Sequence, residues 1–390
     1  MNIAFVSKYN VNDITTWSGT EYHLFHALKN LEENDVRLHL IDKLLYKRNK
    51  IIILFGRICN RLLWHIFHKK LYYEFYKSTA RFFARQINKE LPSDVDVIFS
   101  ISASPIAYLK TDKIKVFLTD GDAGIEFQRP SYSQFFSKRR KDIAIELWRN
   151  AIDNCDLVFL ATEWAANVTT SICQNIDTNK IKIVPFGANL IECNRTKRDI
   201  VRIVENKKRN ECNLLFIGVE WERKGGNIAL ETARYLHAKG INVHLDIVGI
   251  KNCPVELPDY VTNHGFIMKS LENERINNLY EKAHFFILPT RYDCYGVVFC
   301  EAASFGLPSL TVRTAGVPCV VLDGKNGKLF ELFDNGENYA NYICTMLLDY
   351  EKYKNLCFSS FEQYETRLNW QSTCEKILRH FEDVKNAKGI

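Results

Sequence analysis

The residue types best suited to chemistry cluster in the second half of the chain. Residues 216–226, FIGVEWERKGG, run from an apolar strand-like stretch through Gly218 into Arg223-Lys224-Gly225-Gly226, just ahead of a helical pattern. The carboxyl edge of a parallel sheet is where α/β proteins bind ligands. At such an edge Arg offers a planar fork to phosphate oxygens and Lys a compact charge. Glycines let the backbone approach closely. A charge-assisted hydrogen bond contributes roughly 1.5–3 kcal/mol, so two cations are enough to hold a diphosphate. Taken alone, the segment reads equally well as a solvated basic turn. A second constellation, RYDCYGVVFCEAASFGLPSL at 291–310, follows the strand-like FFILPT and contains Asp293 and Glu301. A helix opening near Tyr295-Gly296 aims its N–H groups and dipole at an anion. Asp293 then stands just before that helix, and Glu301 about a turn and a half inside it. Two carboxylates so placed suit hydrogen bonds to the hydroxyls of a sugar and a ribose. Acid pairs at this spacing are usually a solvated face. Here the strand before them, the opening glycine and the Gly306-Leu307-Pro308 exit favour a site.

The motifs FIG-x-x-x-x-RKG and D-C-Y-G-V-V-F-C-E-A-x-x-F-G-L-P resemble the donor-site motifs of glycosyltransferase family 4, strongly over 211–330 and in layout elsewhere. That family has the GT-B fold and retains anomeric configuration. The resemblance implies that Arg223 and Lys224 bind the nucleotide diphosphate and stabilise it as leaving group. It implies that Asp293 contacts the transferred sugar and Glu301 the ribose hydroxyls. Gly218 and the backbone near Cys294, Tyr295, Gly296 and Val297 then border the donor. The segment HGFI, 264–267, resembles the base-contacting loop, with Phe266 and Ile267 beside the base; alone it reads as a plain strand. Glycines of 315–330 shape loops next to the donor. The family's paired glutamates become Asp293 and Glu301 here, and the shorter aspartate arm alters the sugar contacts. In the first half, the loop WSGT, 17–20, stands where family members bring a glycine loop to the donor phosphate, and Gly19 is the candidate. Asp120, in FLTDGDAG, is a candidate catalytic residue at the same sheet edge, although Asp-Gly is also a common turn dipeptide. The reaction implied is retaining transfer of a sugar from a nucleotide-diphosphate sugar to a glycan or lipid-linked acceptor. No D-x-D metal motif follows a strand, so neither metal nor cofactor is expected beyond the donor substrate. A sugar-nucleotide epimerase, a phosphorylase or a non-catalytic sugar-nucleotide binder of the same fold is the alternative.

These residues need a frame of strands and helices to position them. Apolar runs at 2–7, 36–41, 95–101, 115–120, 156–162 and 180–187 read as one set of strands, and those at 213–218, 242–249, 285–290, 308–312 and 328–330 as another. Helical patterns at 21–31 and 228–239 lie between them, the second with Asn227 as N-cap and Gly240 as stop. The fold expected is α/β: two Rossmann-like domains with parallel sheets facing a cleft. Residues 1–190 form an acceptor-binding domain, 191–210 a basic linker, and 211–368 the donor-binding domain. Residues 369–390 form a final helix that packs back on the first domain.

Composition narrows the setting. At 390 residues two domains are the natural expectation. Twelve scattered cysteines without a C-x-x-C pair read as reduced core residues of a cytosolic protein, with no zinc ligand spacing. The amino terminus lacks a charged-then-apolar signal pattern. The longest strongly apolar run near it, 51–56, is far shorter than the roughly 20 residues that span a bilayer. The net charge of +6 is uneven: twelve Lys/Arg and two Glu in 43–90 give +10 there and leave −4 elsewhere. That distribution argues against nucleic acid as partner. Within 43–90, Lys and Arg alternate with Trp, Phe and Tyr. This suits an anionic membrane surface at the inner face of the cell membrane, or an aromatic face packed on the first sheet.

Overall fold

In the computed structural model the described residues are 1–31, 36–47, 58–62, 65, 76–121, 125, 133–191 and 194–389. The chain divides into two compact units, Met1–Pro185 with Thr373–Ile390, and Phe186–Ser372.

The first unit contains β1 (Asn2–Val6), α1 (Thr20–Lys29), β2 (Arg37–Ile41), α2 (Lys77–Glu90), β3 (Val97–Ser100), β4 (Ile114–Thr119), α3 (Lys138–Asn154), β5 (Leu157–Leu160), α4 (Glu163–Ile172) and β6 (Ile181–Ile183). The strands form one sheet in the order β2-β1-β3-β4-β5-β6, every pairing parallel. Central strands such as VIFS and LVFL are buried along their whole length, because helices cover both faces of a parallel sheet. The outer strands β2 and β6 are only partly buried. Of 43–90, residues 48–57, 63–64 and 66–75 lie outside the described residues. Within the described part, α2 buries Thr79, Ala80, Phe83, Ala84 and Ile87. Among the described residues no helix is long and apolar enough to cross a membrane.

The second unit contains α5 (Lys197–Glu205), β7 (Glu211–Ile217), α6 (Trp221–Lys224), α7 (Gly226–Ala238), β8 (Asn242–Val248), β9 (Val261–Asn263), α8 (Asn273–Lys282), β10 (Phe285–Leu288), α9 (Val297–Ala303), β11 (Ser309–Val312), α10 (Val317–Val320), β12 (Gly327–Phe330), α11 (Gly336–Leu348) and α12 (Tyr350–Arg367). Its sheet runs β12-β11-β10-β7-β8-β9, again all parallel. The last helix, α13 (Trp370–Lys388), places Phe381 against Phe99 and Phe159 of the first unit, at ring distances of 5.4 and 5.8 Å.

Two local expectations change. Part of the stretch expected as a linker is helix α5. Thr196 and Asp199 cap its first turn reciprocally, and Ile200, Ile203 and Val204 are buried. The apolar residues fall at i, i+3 and i+4, a pattern that the surrounding charges obscure. Asn227 lies inside α7 rather than capping it. Gly225 caps the helix in the left-handed conformation, and Asn227 accepts a hydrogen bond from Trp221 Nε1.

The second unit also carries an acid-sensitive group. His284 is 1% exposed; its Nδ1 accepts from the Asn213 N–H at 3.0 Å, and its Nε2 lies 3.1 Å from the Lys208 carbonyl. Burial, aided by the charge of Lys207, lowers its pKa to about 4. The unfolded chain takes up this proton near pH 6.5 and the folded chain only near pH 4. The stability is therefore complete above pH 6.5 and lost as pH falls through that window, on the order of 3 kcal/mol. Urea unfolding at pH 7 and pH 4.5 should show a larger loss for the natural chain than for His284→Gln. Equal losses would contradict the assignment.

Candidate functional site

In each sheet the chain leaves the first strand in one direction and later returns to its other side. The resulting switch point lies between β7 and β10 in the second unit, and between β1 and β3 in the first. At such a point neighbouring connections run to opposite faces, and a crevice opens at the carboxyl ends of the strands.

The second unit's switch point gathers the cationic turn and the first acid. Helix α6 is a single turn carrying Arg223 and Lys224, closed by Gly225 at φ +77°. Its carbonyl ties it to the loop after β10, since Arg223 O accepts from the Arg291 N–H at 2.8 Å. Lys224 Nζ meets Asp293 Oδ2 at 2.5 Å, across 69 residues of sequence. Arg223 Nη1 donates to the Tyr292 carbonyl at 3.1 Å, Nη2 donates to Glu220 at 2.7 Å, and Asp293 lies 3.7 Å away. The three side chains are 18, 12 and 16% exposed for Arg223, Lys224 and Asp293, so the cluster is sheltered yet reachable. Gly218 directly follows β7, and a Cβ there would stand 2.9 Å from Lys224 Cγ. The glycine leaves room for the lysine stem to lie over the strand end.

The helix after Asp293 starts where the sequence places it. Gly296, at φ +86°, precedes α9, and a Cβ at this position would meet the Phe299 ring at 2.6 Å. Val297 is the first residue of the helix, and the Phe299 N–H closes the first turn on the Gly296 carbonyl at 2.9 Å. Cys294 and Tyr295 are buried. The Tyr295 hydroxyl donates to the Phe186 carbonyl at 2.7 Å, so its side chain serves packing and only its backbone can face a ligand.

Glu301 is placed differently from Asp293. It is fully buried, accepts from the Tyr280 hydroxyl at 2.8 Å, and forms an ion pair with Lys269. The second acid is thus held from two sides rather than standing open beside the first. In the loop after β9, Phe266 is 64% exposed while Ile267 is 5% exposed. Only Phe266 presents its side chain outward; Ile267 can offer a base its backbone alone.

Gly19 and Asp120 belong to the first unit. Gly19 caps α1 at φ +87°, after Trp17 and Ser18 at φ +47° and +56°. Two consecutive non-glycine residues in the left-handed region mark a strained loop of the kind found at functional sites. The loop borders a cavity of about 300 Å³ at this unit's switch point, with Lys8, Tyr9, Glu21 and Ser102 among its walls. Asp120 lies in the turn between Thr119 and Gly121, which do line the cavity. Thr119 Oγ1 and Gly121 close that turn with hydrogen bonds of 2.9 and 3.2 Å.

Three further residues carry no sequence signal of a site on first reading: Glu21 at the first unit's cavity, and Lys269 and Tyr280 on Glu301 in the second unit. Glu21 is 3% exposed and accepts from Ser7 Oγ at 2.5 Å; burial raises its pKa against the opposing effect of that hydrogen bond. A signal for it exists: Glu21 shares the apolar face of α1 with buried Leu24 and Leu28, where a carboxylate is out of place. Tyr280 likewise sits four residues after buried Ile276 in α8. No local pattern distinguishes Lys269.

Comparison with known proteins bears on the same region. Residues 211–349 match the model of a family described as Glycosyl transferases group 1. Over those residues the chain is similar to group 1 glycosyltransferases. Spore coat protein SA of Bacillus subtilis is 27% identical over 181 residues, 43% of this chain and 48% of that protein. D-inositol 3-phosphate glycosyltransferase of Mycolicibacterium smegmatis is 23% identical over 242 residues, 60% of this chain and 54% of that one. The chain thus spans about half the length of these two relatives. Among solved structures, a sucrose-phosphate synthase from Thermosynechococcus elongatus superposes with a TM-score of 0.69 at 15% identity, covering 99% of this chain and 100% of the other. Anabaena Alr3699/HepE, solved in complex with UDP and glucose, gives 0.63 at 15% identity, over 98 and 99% of the two chains. The architecture is similar to that of GT-B structures, and the matched segment 211–349 holds the whole Arg223–Lys224–Asp293 cluster.

Proposed function

We propose that the chain is a retaining glycosyltransferase of the family 4 type, moving a sugar from a nucleotide-diphosphate sugar to a glycan or lipid-linked acceptor. One observation carries the reading: two cations and an acid converge at the switch point of the second sheet, inside the matched domain. The HepE complex with UDP and glucose supports a nucleotide sugar as donor.

In this reading the diphosphate competes with Asp293 for Lys224. The carboxylate is then released to accept hydrogen bonds from the sugar. As the sugar–phosphate bond breaks, the sugar gains oxocarbenium character. Negative charge grows on the diphosphate, where Arg223 and Lys224 already stand. Arg223 is held by the Tyr292 carbonyl and Glu220, so little reorganisation is needed. With retention, the acceptor hydroxyl attacks from the leaving-group face and a phosphate oxygen takes its proton. No protein nucleophile or metal ion is required. The first unit's cavity, with Glu21 in its wall, is the proposed seat of the acceptor hydroxyls.

A thermal-shift screen of nucleotide sugars, followed by product detection, tests the proposal. At 100 times its dissociation constant the correct donor should add about 2.7 kcal/mol of stability. The same donor should yield a glycosylated product with its anomeric configuration kept. A chain that none of the nucleotide sugars stabilises, and that transfers none of them, is not this enzyme.

A further inference from the structure

We propose that Lys269 is a displaceable cap on Glu301, occupying the carboxylate until the vicinal hydroxyls of a ribose take its place. The inference rests on the donor reading above and adds a positioning residue to it.

The two partners of Glu301 are held in unlike ways. Tyr280 is part of helix α8, fully buried, and stacked on Phe305 with ring centres 4.9 Å apart. It fixes one carboxylate oxygen from within the core. Lys269 comes from the loop between β9 and α8, in a turn closed by hydrogen bonds of 2.9 Å from Leu271 and Glu272 to the Met268 carbonyl. Its side chain is 27% exposed, whereas Glu301 is 0% exposed. Neighbours on the same loop face outward, Phe266 at 64% and Leu271 at 79%. One partner is therefore built into the core and the other is mounted on the surface.

A carboxylate has about four lone-pair positions, and Tyr280 and Lys269 use two. Two acceptor positions remain, one for each hydroxyl of a ribose diol. Neither can be reached while the ammonium covers the group. Lifting Lys269 leaves a buried carboxylate without its counter-charge, which is costly unless other donors replace it. A diol supplies two donors; a sugar lacking both hydroxyls supplies none. The acid thus stays closed unless the right groups arrive, and displacing the lysine costs the ribonucleotide, but not a dideoxy form, part of its affinity. Phe266 lies three residues before Lys269 on the same loop, so a base packing on Phe266 moves the segment that carries the cap.

The test uses the full chain, with uridine, guanosine and adenosine diphosphates as probes. Melting temperature first identifies which diphosphate binds. Lysine acylation by an N-hydroxysuccinimide acetate, read by peptide mass spectrometry, then reports the state of Lys269 with and without that nucleotide. Lys269 should be acylated about fivefold faster, or more, once the nucleotide is bound, as the population shifts to the uncapped state. The 2′,3′-dideoxy counterpart, at saturating concentration, should leave its rate unchanged. Lys269→Gln should bind the ribonucleotide more tightly relative to the dideoxy form than the natural chain does. A binding nucleotide that leaves Lys269 unchanged or more protected overturns the cap and leaves the donor reading standing. Equal exposure by the dideoxy form overturns the role of the diol. If no diphosphate raises the melting temperature, the donor reading and the cap fall together.

Discussion

Lys224→Ala should lower sugar transfer by roughly 100-fold or more, the scale seen when a group stabilising developing charge is removed. The loss should appear mainly in kcat, because the charge that Lys224 meets grows as the sugar–phosphate bond breaks. The fold should persist. Asp293 keeps Arg223 at 3.7 Å and is 16% exposed, so it is not left as an isolated buried charge. The cost in stability should stay within about 2 kcal/mol. Steady-state kinetics beside urea unfolding separates the two effects. Asp293→Asn and the double variant complete the cycle: residues paired with each other at 2.5 Å should combine with less than additive losses. Activity within tenfold of the natural chain would remove Lys224 from the mechanism.

The second large effect belongs to a residue without a side chain. In Gly225→Ala the new Cβ would lie 2.1 Å from the Pro289 carbonyl oxygen and 2.7 Å from its carbon, at φ +77°. Both obstacles are backbone, so no rotamer change relieves them. The left-handed conformation alone costs roughly 1–2 kcal/mol. Forcing the two chain segments apart should bring the total to about 4 kcal/mol or more, the range reserved for broken packing. Transfer should be lost as well, because Gly225 closes the turn that carries Arg223 and Lys224. Gly240→Ala isolates the backbone contribution, since it shares a φ of +75° but has no atom within 4 Å of the added Cβ. It should cost only about 1–2 kcal/mol and leave transfer untouched. Equal unfolding midpoints for the two variants would show that the approach to Pro289 is not tight.

Much of this was legible in the chain itself. The strand runs are short and apolar enough to be seen without context, and each expected run contains a strand in the structure, although 180–187 is strand only over Ile181–Ile183 and the three-residue β9 lies in none of them. The turn at 221–225 and the glycine before α9 are local chemistry, written within a few residues. Helix α5 was hidden because its apolar stripe is narrow and its flanks are crowded with Lys and Arg, which read as a solvated connection. Glu21 is hard to see because the apolar residues of α1 carry its periodicity and the acid that shares their face does not.

By itself, then, the sequence determined the periodicities, the parallel α/β character and the cationic turn with its two acids. Those depend on neighbours a few residues apart, where side-chain type and backbone preference decide the outcome. Only the tertiary structure decided that Lys224 meets Asp293, that Glu301 is buried beneath Lys269, and that Ile267 turns inward while Phe266 does not. Those contacts depend on strand order, because the switch between β7 and β10 brings together residues about seventy positions apart. Local patterns fix which residues can form a strand or a helix. The depth at which a charge ends up is set by everything packed around it.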